Sequence, residues 1–400
     1  MGEPVKQIQP EGPAGPVPLP FREFLIKVQS SCNLACDYCY VYRAADTGWR
    51  TQPRTMASAT AEQVCHRIAE HARDHALSSL QIVLHGGEPL LAGPSFLDAL
   101  LGRLRTALPS STRADLVIQT NGTLVDDAVL ALCHEYGVRL GVSLDGGPAV
   151  NDRHRVDHAG RGSHDAVAKV LRRLGQDRHR PVWAGLLCTV DVTTDPLAVY
   201  EHLLSFQPPA IDLMLPLGNW DHPPPHRSAD PASVPYADWL RAVFDRWYPA
   251  PGPPTRIPFL EAVIDLVLGG AGGIESVGGG PSRMVVVDTD GSLTQSDQLK
   301  TAYDGAPGTG RDVWRDSFDT LLTHPGILAR QAGTGALCEE CRACPVLRVC
   351  GGGHYPHRYR QGSGFANPSV YSPDLRSLIG HVSRTVLGDL DRLIEGGLPR

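Results

Sequence analysis

Six short apolar segments between residues 22 and 217 alternate with amphipathic segments, and this alternation limits the folds open to the chain. Each intervening segment places apolar residues three and four positions apart, as helices do. Strands that alternate with helices form parallel sheets joined by right-handed crossovers. The pattern predicts an α/β fold, either a partial barrel of six strand–helix units or a doubly wound open sheet. The predicted strands are residues 22–29, 80–85, 115–120, 138–144, 183–190 and 211–217.

The alternation of strand and helix patterns stops after residue 220. A proline-rich stretch over 221–235 is followed by two helical patterns, a hairpin pattern over 283–299 and a further helical pattern over 313–325. We therefore expect four parts. These are a flexible tail over 1–20, the core over 21–220, a bridging region over 221–335, and a small cysteine-containing domain with a C-terminal helix over 336–400.

Composition excludes several classes of partner. The formal net charge of −6 gives no electrostatic reason to bind nucleic acid. No apolar run approaches the roughly 20 residues that cross a membrane. The N-terminal segment is rich in proline and glycine and lacks the apolar core of a signal peptide. We expect a cytoplasmic protein with no nucleic-acid or membrane partner.

Three cysteines, Cys32, Cys36 and Cys39, directly follow the first predicted strand. Parallel folds build their sites at the carboxyl ends of strands. A zinc site would need a fourth ligand, and the nearest candidate, His66, lies in the next predicted helix. Simple packing does not favour cysteines flanked by polar residues. A [4Fe–4S] cluster with one iron left open to a small molecule fits three thiolates best.

The string CNLACDYC resembles the CxxxCxxC signature of the radical S-adenosylmethionine (SAM) superfamily. HGGEPLL (85–91), QTNGTL (119–124), GVSLDGG (141–147) and NDRHR (151–155) follow in the order that this family uses. The resemblance implies a partial (β/α)6 radical SAM barrel with a [4Fe–4S] cluster on the three cysteines. It also implies contacts to SAM from Tyr38 near the adenine, Gly86 and Gly87 through close backbone approach, Glu88 at the ammonium, Ser143 at the ribose and Arg155 at the carboxylate.

A second group comprises Cys338, Cys341, Cys344 and Cys350, a spacing that suits zinc or an iron–sulfur cluster. It resembles the core of the SPASM domain, an iron–sulfur extension of peptide-modifying radical SAM enzymes. Cys341, Cys344 and Cys350 match that pattern, whereas His354, Ser372 and Ser296 occupy positions where the family has cysteines. The resemblance implies a smaller C-terminal SPASM-like domain with one auxiliary [4Fe–4S] cluster, whose fourth ligand is Cys338 or Ser372. Zinc is the alternative.

Residues 21–380 together resemble the FxsB-type radical SAM/SPASM peptide maturases. This implies cyclophane formation in a ribosomally made precursor peptide, with a ferredoxin or flavodoxin as electron donor. The same resemblance marks Asp297 as a candidate catalytic base, although a turn aspartate facing water is an equal alternative. Other outcomes are thioether formation, epimerisation, or Ser/Cys oxidation as in sulfatase maturation. A different class would be a non-catalytic iron–sulfur carrier or a peptide-binding scaffold.

Overall fold

The computed structural model describes residues 18–230, 232–250 and 252–395 of the 400-residue chain. Nine strands form one sheet within these ranges. In chain order they are β1 Glu23–Gln29, β2 Ser79–Gly86, β3 Arg113–Thr120, β4 Arg139–Ser143, β5 Trp183–Thr189, β6 Ile211–Met214, β7 Met284–Val287, β8 Ser292–Thr294 and β9 Gly308–Asp312.

The order of the strands selects between the two predicted folds. It is β6-β5-β4-β3-β2-β1-β7-β8-β9, so the first six strands are neighbours in chain order. All five pairs among them are parallel. A doubly wound sheet would instead reverse its strand order part-way along the chain. The winding continues in one direction, which confirms the partial barrel and all six predicted strands.

Helices follow most strands, and several begin with a proline in the first turn, where the missing N–H costs no hydrogen bond. The predicted helical segments over residues 58–267 are present, and the short helix Pro148–His154 in this range was not predicted. The helices are α1 Tyr40–Arg43, α2 Ser58–Asp74, α3 Pro94–Ala107, α4 Asp127–Tyr136, α5 Pro148–His154, α6 His164–Leu174, α7 Pro196–Leu204, α8 Pro235–Trp247, α9 Pro258–Val267, α10 Pro325–Gln331, α11 Glu339–Arg342, α12 Leu347–Cys350 and α13 Ser372–Glu395. Within the described ranges, no helix is both long enough and apolar enough to span a membrane.

Strand β1 lies at the centre of the sheet, and its two faces differ in chemistry. Phe24, Ile26 and Val28 are fully buried in the main apolar core. Because side chains alternate along a strand, Lys27 and Gln29 point to the opposite face, towards the barrel interior. Both are only 3% exposed. A charged group therefore lies inside the barrel, where it must find a partner.

The predicted hairpin over 283–299 is present and joins the barrel sheet directly. Strand β7 pairs in parallel with β1, and β8 pairs antiparallel with β7. The hairpin thus carries its following residues to the open side of the barrel. The boundaries of the four predicted parts stay a prediction.

The predicted helix over 313–325 is wrong. Asp312 Oδ1 accepts hydrogen bonds from the backbone N–H groups of Trp314 at 2.9 Å and Arg315 at 3.0 Å, which closes a turn instead. Only a short 3₁₀ helix, Phe318–Leu321, follows. Most of the predicted N-terminal tail, residues 1–17, lies outside the described residues, while Leu19 exchanges two hydrogen bonds with Gln331.

A buried ion pair attaches the segment after β8 to the loop after α1. Lys300 Nζ lies 2.6 Å from Asp46 Oδ2, and both side chains are 5% exposed. We expect Asp46→Asn to lower the free energy of unfolding by about 3–5 kcal/mol, because it leaves the Lys300 charge buried and unpaired. Denaturant unfolding would measure this. The double variant Asp46→Leu/Lys300→Met should recover most of the loss, and an equal loss in both variants would contradict the ion-pair explanation.

Candidate active site

The three cysteines of the first group lie in the loop after β1, at the carboxyl end of the parallel strands. Cys32, Cys36 and Cys39 are each partly buried. Two groups face the Cys32 sulfur, the backbone N–H of Leu34 at 3.4 Å and the side-chain amide of Asn121 at 3.7 Å. N–H groups that face a sulfur stabilise its thiolate form. At Cys32 these two groups partly offset the effect of burial, which favours the neutral thiol.

The donor set fits an iron–sulfur cluster better than zinc. Burial raises the pKa of Cys32 to about 11 and also raises the pKa of Cys36 and Cys39. Because a raised pKa disfavours the thiolate, these cysteines need a positively charged partner, such as iron, to bind as thiolates. Among the described residues, no three cysteine sulfurs lie within 4.8 Å of one another. Three thiolates leave one position of a [4Fe–4S] cluster open, whereas a closed tetrahedral zinc site needs a fourth ligand.

The GGE motif packs directly against the start of the cysteine loop. Backbone N–H groups of Gly87 and Glu88 donate to the carbonyls of Gln29 at 2.8 Å and Ser31 at 2.9 Å. A Cβ on Gly86, whose φ is +150°, would lie 2.0 Å from the Gln29 carbonyl oxygen. A Cβ on Gly87 would lie 2.4 Å from the carbonyl oxygen of Ser31. Both glycines are therefore required by the contact between β2 and the loop, whatever ligand they also meet.

Glu88 is fully buried at the end of β2. Its carboxylate accepts hydrogen bonds from Thr120 Oγ1 at 2.7 Å and from the backbone N–H groups of Asn121 at 2.8 Å and Leu90 at 3.0 Å. Burial nevertheless raises its pKa above the ordinary value. Oε2 accepts only one of these bonds and keeps capacity for another donor. The predicted contact to an ammonium is compatible with this arrangement and stays a prediction.

Tyr38 and Arg155 are brought together across the site by Asp145. The Tyr38 hydroxyl donates to Asp145, and Arg155 Nη1 donates to the Tyr38 oxygen at 2.8 Å. Arg155 is 8% exposed, and its Nε has no hydrogen-bond partner among the described residues. A buried guanidinium with a free donor fits a carboxylate ligand. Ser143, at the end of β4, accepts from Gln119 Nε2 at 3.2 Å.

Asp297 is 2% exposed, so the alternative of a turn aspartate facing water is wrong. Its Oδ1 lies 3.0 Å from Lys27 Nζ, which also donates to Asp288 Oδ2 at 2.8 Å. Neither Asp297 oxygen accepts a well-directed hydrogen bond among the described residues. Burial alone would raise the pKa of this carboxyl, but Lys27, Lys300 and His85 hold it below its ordinary value. Asp297 is therefore an ionised carboxylate with free accepting capacity.

Sequence reasoning missed Lys27, Asp288, His85 and Asp145 as site residues. One signal was available for Lys27, because a lysine within the apolar run FLIKVQ is unusual for a buried strand. His85 directly precedes the GGE motif and is partly buried, and desolvation lowers its pKa. The carboxylate partners had no comparable signal, since their pairing joins segments far apart in the chain.

The second cysteine group gathers near the end of the described chain. Cys341 and Cys350 are buried, and burial raises the pKa of Cys341 to about 12. Cys341, Cys344, Cys350 and Ser372 line one small cavity. The neighbouring Cys338 thiol also raises the pKa of Cys341. Both predicted candidates for a fourth ligand thus adjoin the site, and the choice between them stays a prediction.

Comparison with known proteins identifies the region that holds most of these residues. Residues 26–197 match the family model described as the radical SAM superfamily. The serine-type anaerobic sulfatase-maturating enzyme of Klebsiella aerogenes is 34% identical over 190 residues, which are 47% of this chain and 45% of that enzyme. The chain thus matches about half the length of that relative.

Two further likenesses extend over most of the chain. The cysteine-type anaerobic sulfatase-maturating enzyme of Clostridium perfringens is 27% identical over 352 residues, which cover 84% of this chain and 89% of that enzyme. The solved structure of native anSMEcpe with bound AdoMet and the Kp18Cys peptide superposes with a TM-score of 0.78 at 21% identity. The superposed region covers 93% of this chain and 99% of the chain in that structure. The overall fold is shared from the barrel to the C-terminal region.

The two cysteine groups predict a specific iron content. We expect the anaerobically reconstituted protein to hold about eight irons, four for each [4Fe–4S] cluster. Changing Cys32, Cys36 and Cys39 together to Ala should leave about four irons and abolish SAM cleavage. Changing Cys65 and Cys133, which are buried in the apolar core, is the control and should leave the iron unchanged. Zinc in place of the second four irons would contradict the auxiliary cluster.

Proposed function

Residues 26–197 match the family model described as the radical SAM superfamily, and from that match we propose that the protein oxidises a residue within a peptide. It joins the Cβ of that residue to a nearby aromatic ring of the same peptide, forming a cyclophane. The observation that carries the proposal is Asp297, a buried carboxylate kept ionised by Lys27 near Oδ1, neither of whose oxygens accepts a well-directed hydrogen bond from the described residues. A reaction that must remove a proton from a bound substrate needs such a group.

When bound, the first [4Fe–4S] cluster and SAM supply a radical that takes a hydrogen atom from a substrate carbon, and an auxiliary cluster supplies an electron acceptor. Cys32, Cys36 and Cys39 would hold the first cluster and leave one position for SAM. Arg155, with its free Nε, would bind the SAM carboxylate, and Glu88 would bind its ammonium. Because Arg155 is positively charged and Glu88 negatively charged, their separate positions would fix the orientation of SAM.

Asp297 has a defined task in this scheme. Once a hydrogen atom has left Cβ and that carbon has joined an aromatic ring, the ring must lose one proton and one electron to become aromatic again. Asp297 takes the proton on Oδ1 or Oδ2. Lys27 keeps the carboxylate ionised beforehand and lies 3.0 Å away, so it also stabilises the site while the proton is transferred.

Cross-linking is preferred because residues 21–380 resemble the FxsB-type maturases, which are associated with cyclophane formation. His354, Ser372 and Ser296 stand where a complete SPASM domain has cysteines, which leaves ligands for one auxiliary cluster. The substrate would be a ribosomally made precursor peptide, and reduction of the first cluster would require a ferredoxin or flavodoxin. The unbroken cysteine loop and the free donor on Arg155 favour an enzyme over a non-catalytic iron–sulfur carrier.

Oxidation of a Ser or Cys side chain is the second candidate. It is favoured by the 27% identity to the cysteine-type sulfatase-maturating enzyme across 89% of that relative. Both reactions remove a Cβ hydrogen and require a base, so Asp297 suits either. They differ in product, because side-chain oxidation creates an aldehyde that reacts with hydrazides, and a carbon–carbon link does not.

We expect Asp297→Asn to separate hydrogen abstraction from product formation. The variant keeps the side-chain shape but cannot take a proton as a carboxylate does. It should still release 5′-deoxyadenosine when peptide is present, while modified peptide falls by about 10²–10⁴-fold. Mass spectrometry of the peptide measures the product, and hydrazide labelling distinguishes the two candidate reactions.

Asp290, an exposed aspartate in the turn before β8, provides the matched control. Asp290→Asn should retain both 5′-deoxyadenosine release and product. Normal product from Asp297→Asn would exclude Asp297 as the base.

Lys27 should control the pH range over which Asp297 acts. A carboxyl whose pKa is held low stays ionised as the pH falls, so wild-type product formation should change little between neutral and mildly acidic pH. Lys27→Met removes the nearest positive charge, raises the Asp297 pKa and should make product formation fall as the pH is lowered. Lys27→Arg keeps the charge and should restore the wild-type profile. Parallel profiles for wild type and Lys27→Met, both normalised to iron content, would contradict this role.

A further inference from the structure

A group of two histidines and one aspartate lies on the outer side of the sheet, away from both cysteine groups. His71 is in the last turn of α2 and His75 caps that helix, one turn later on the same face. Asp319 comes from the 3₁₀ helix Phe318–Leu321. Asp319 Oδ1 lies 2.6 Å from His71 Nδ1 and 3.0 Å from His75 Nε2. These three side chains are called the His–His–Asp cluster below.

The protonation states of the cluster suit a metal ion. Burial lowers the pKa of His71, so its ring is neutral at neutral pH. Burial would raise the pKa of Asp319, but the two imidazoles outweigh it and hold that pKa below its ordinary value. The cluster thus offers two imidazole nitrogens and one carboxylate. This is a donor set that Zn²⁺ binds, with water at a fourth position.

The surroundings of the His71 ring also favour a metal ion at this cluster. Its Nε2 is buried and has no hydrogen-bond partner in the described part of the chain. The ring lies among Phe21 and Phe24, each with its centroid 5.8 Å away, and Phe318 at 6.0 Å. A cation on Nδ1 fixes the ring proton on Nε2, where an N–H makes a weak favourable contact with aromatic rings. A bare lone pair there would have no compensating contact.

The geometry can admit an ion with small movements. Candidate ligand atoms of the three side chains all lie within 4.8 Å of one another. Ligand atoms of tetrahedral zinc lie roughly 3.3 Å apart, so the nitrogens must move from Asp319 by well under an ångström. The side chains of Asp319 and His75 are 40% and 26% exposed, so they can adjust and admit water.

We propose that the His–His–Asp cluster binds one divalent transition-metal ion, Zn²⁺ by preference, and that this ion fastens the end of α2 to the segment Phe318–Leu321. The ion joins these two segments and is separate from the iron sites. It holds together two segments that are 244 residues apart in sequence at the His75–Asp319 contact. This proposal does not depend on the reaction that the enzyme performs.

Metal analysis of the full-length, iron-reconstituted protein in a zinc-buffered solution tests the proposal. Wild type should retain about one Zn²⁺ per chain in addition to its iron. His75→Gln and Asp319→Asn should retain none while their iron content is unchanged. His66→Gln is the matched control, because His66 is exposed on the same helix outside the cluster, and it should bind zinc as wild type does. Equal zinc in wild type and His75→Gln would overturn the site.

X-ray absorption at the zinc edge identifies the ligands directly. Only nitrogen and oxygen neighbours at about 2.0–2.1 Å are expected, whereas sulfur at about 2.3 Å would place the zinc on cysteines and overturn the assignment. The wild-type chain provides a test without substitutions. Chelation by EDTA should lower its Tm with the iron retained, and added Zn²⁺ should restore it. A Tm that is indifferent to both would show that the cluster is held by hydrogen bonds alone.

Discussion

A buried ammonium group at the centre of the sheet is the interaction on which much of this structure depends. Lys27 lies on β1 with 3% exposure, and a buried charge that is left without a partner costs several kcal/mol. Its partners, Asp288 and Asp297, follow β7 and β8 more than 250 residues later. The hairpin must therefore dock beside β1. The pairing that stabilises Lys27 also places an ionised carboxylate at the side of the barrel where the cysteine loop lies.

The fold was largely predictable because its signals are local. Parallel strands buried on both faces read as short apolar runs, and all six were recognised together with the helices between them. The helix predicted over 313–325 failed because apolar spacing there competes with Asp312, whose carboxylate closes a turn with the next residues. The pairing of β7 with β1 could not be predicted. No feature of either segment alone specifies a partner so distant in the chain.

Some residues of the candidate site could likewise be predicted from the sequence, and others could not. Cys32, Glu88 and Arg155 belong to motifs whose order along the chain locates them after strands β1, β2 and β4. The environment of Asp297 could not be predicted, since its burial depends on Lys27 and on the docking of the hairpin. His71 and His75 are visible in the sequence as a one-turn pair, but Asp319 reaches them only through the folded structure. Local sequence patterns thus predict where in the fold a residue lies. Contacts between segments distant in the chain determine the protonation state of its side chain.

The sheet ends at β6 on one side and at β9 on the other, and this has a consequence for how the molecules behave at high concentration. An exposed strand edge can pair with another chain and begin aggregation. Strand β6 has four residues and β9 has five, so each offers a short template. Within β9, the half-exposed Arg311 pairs with the buried Asp316 at 3.0 Å. Short strands flanked by charge hinder edge-to-edge association, which favours a protein that stays dispersed when a cell produces it in quantity.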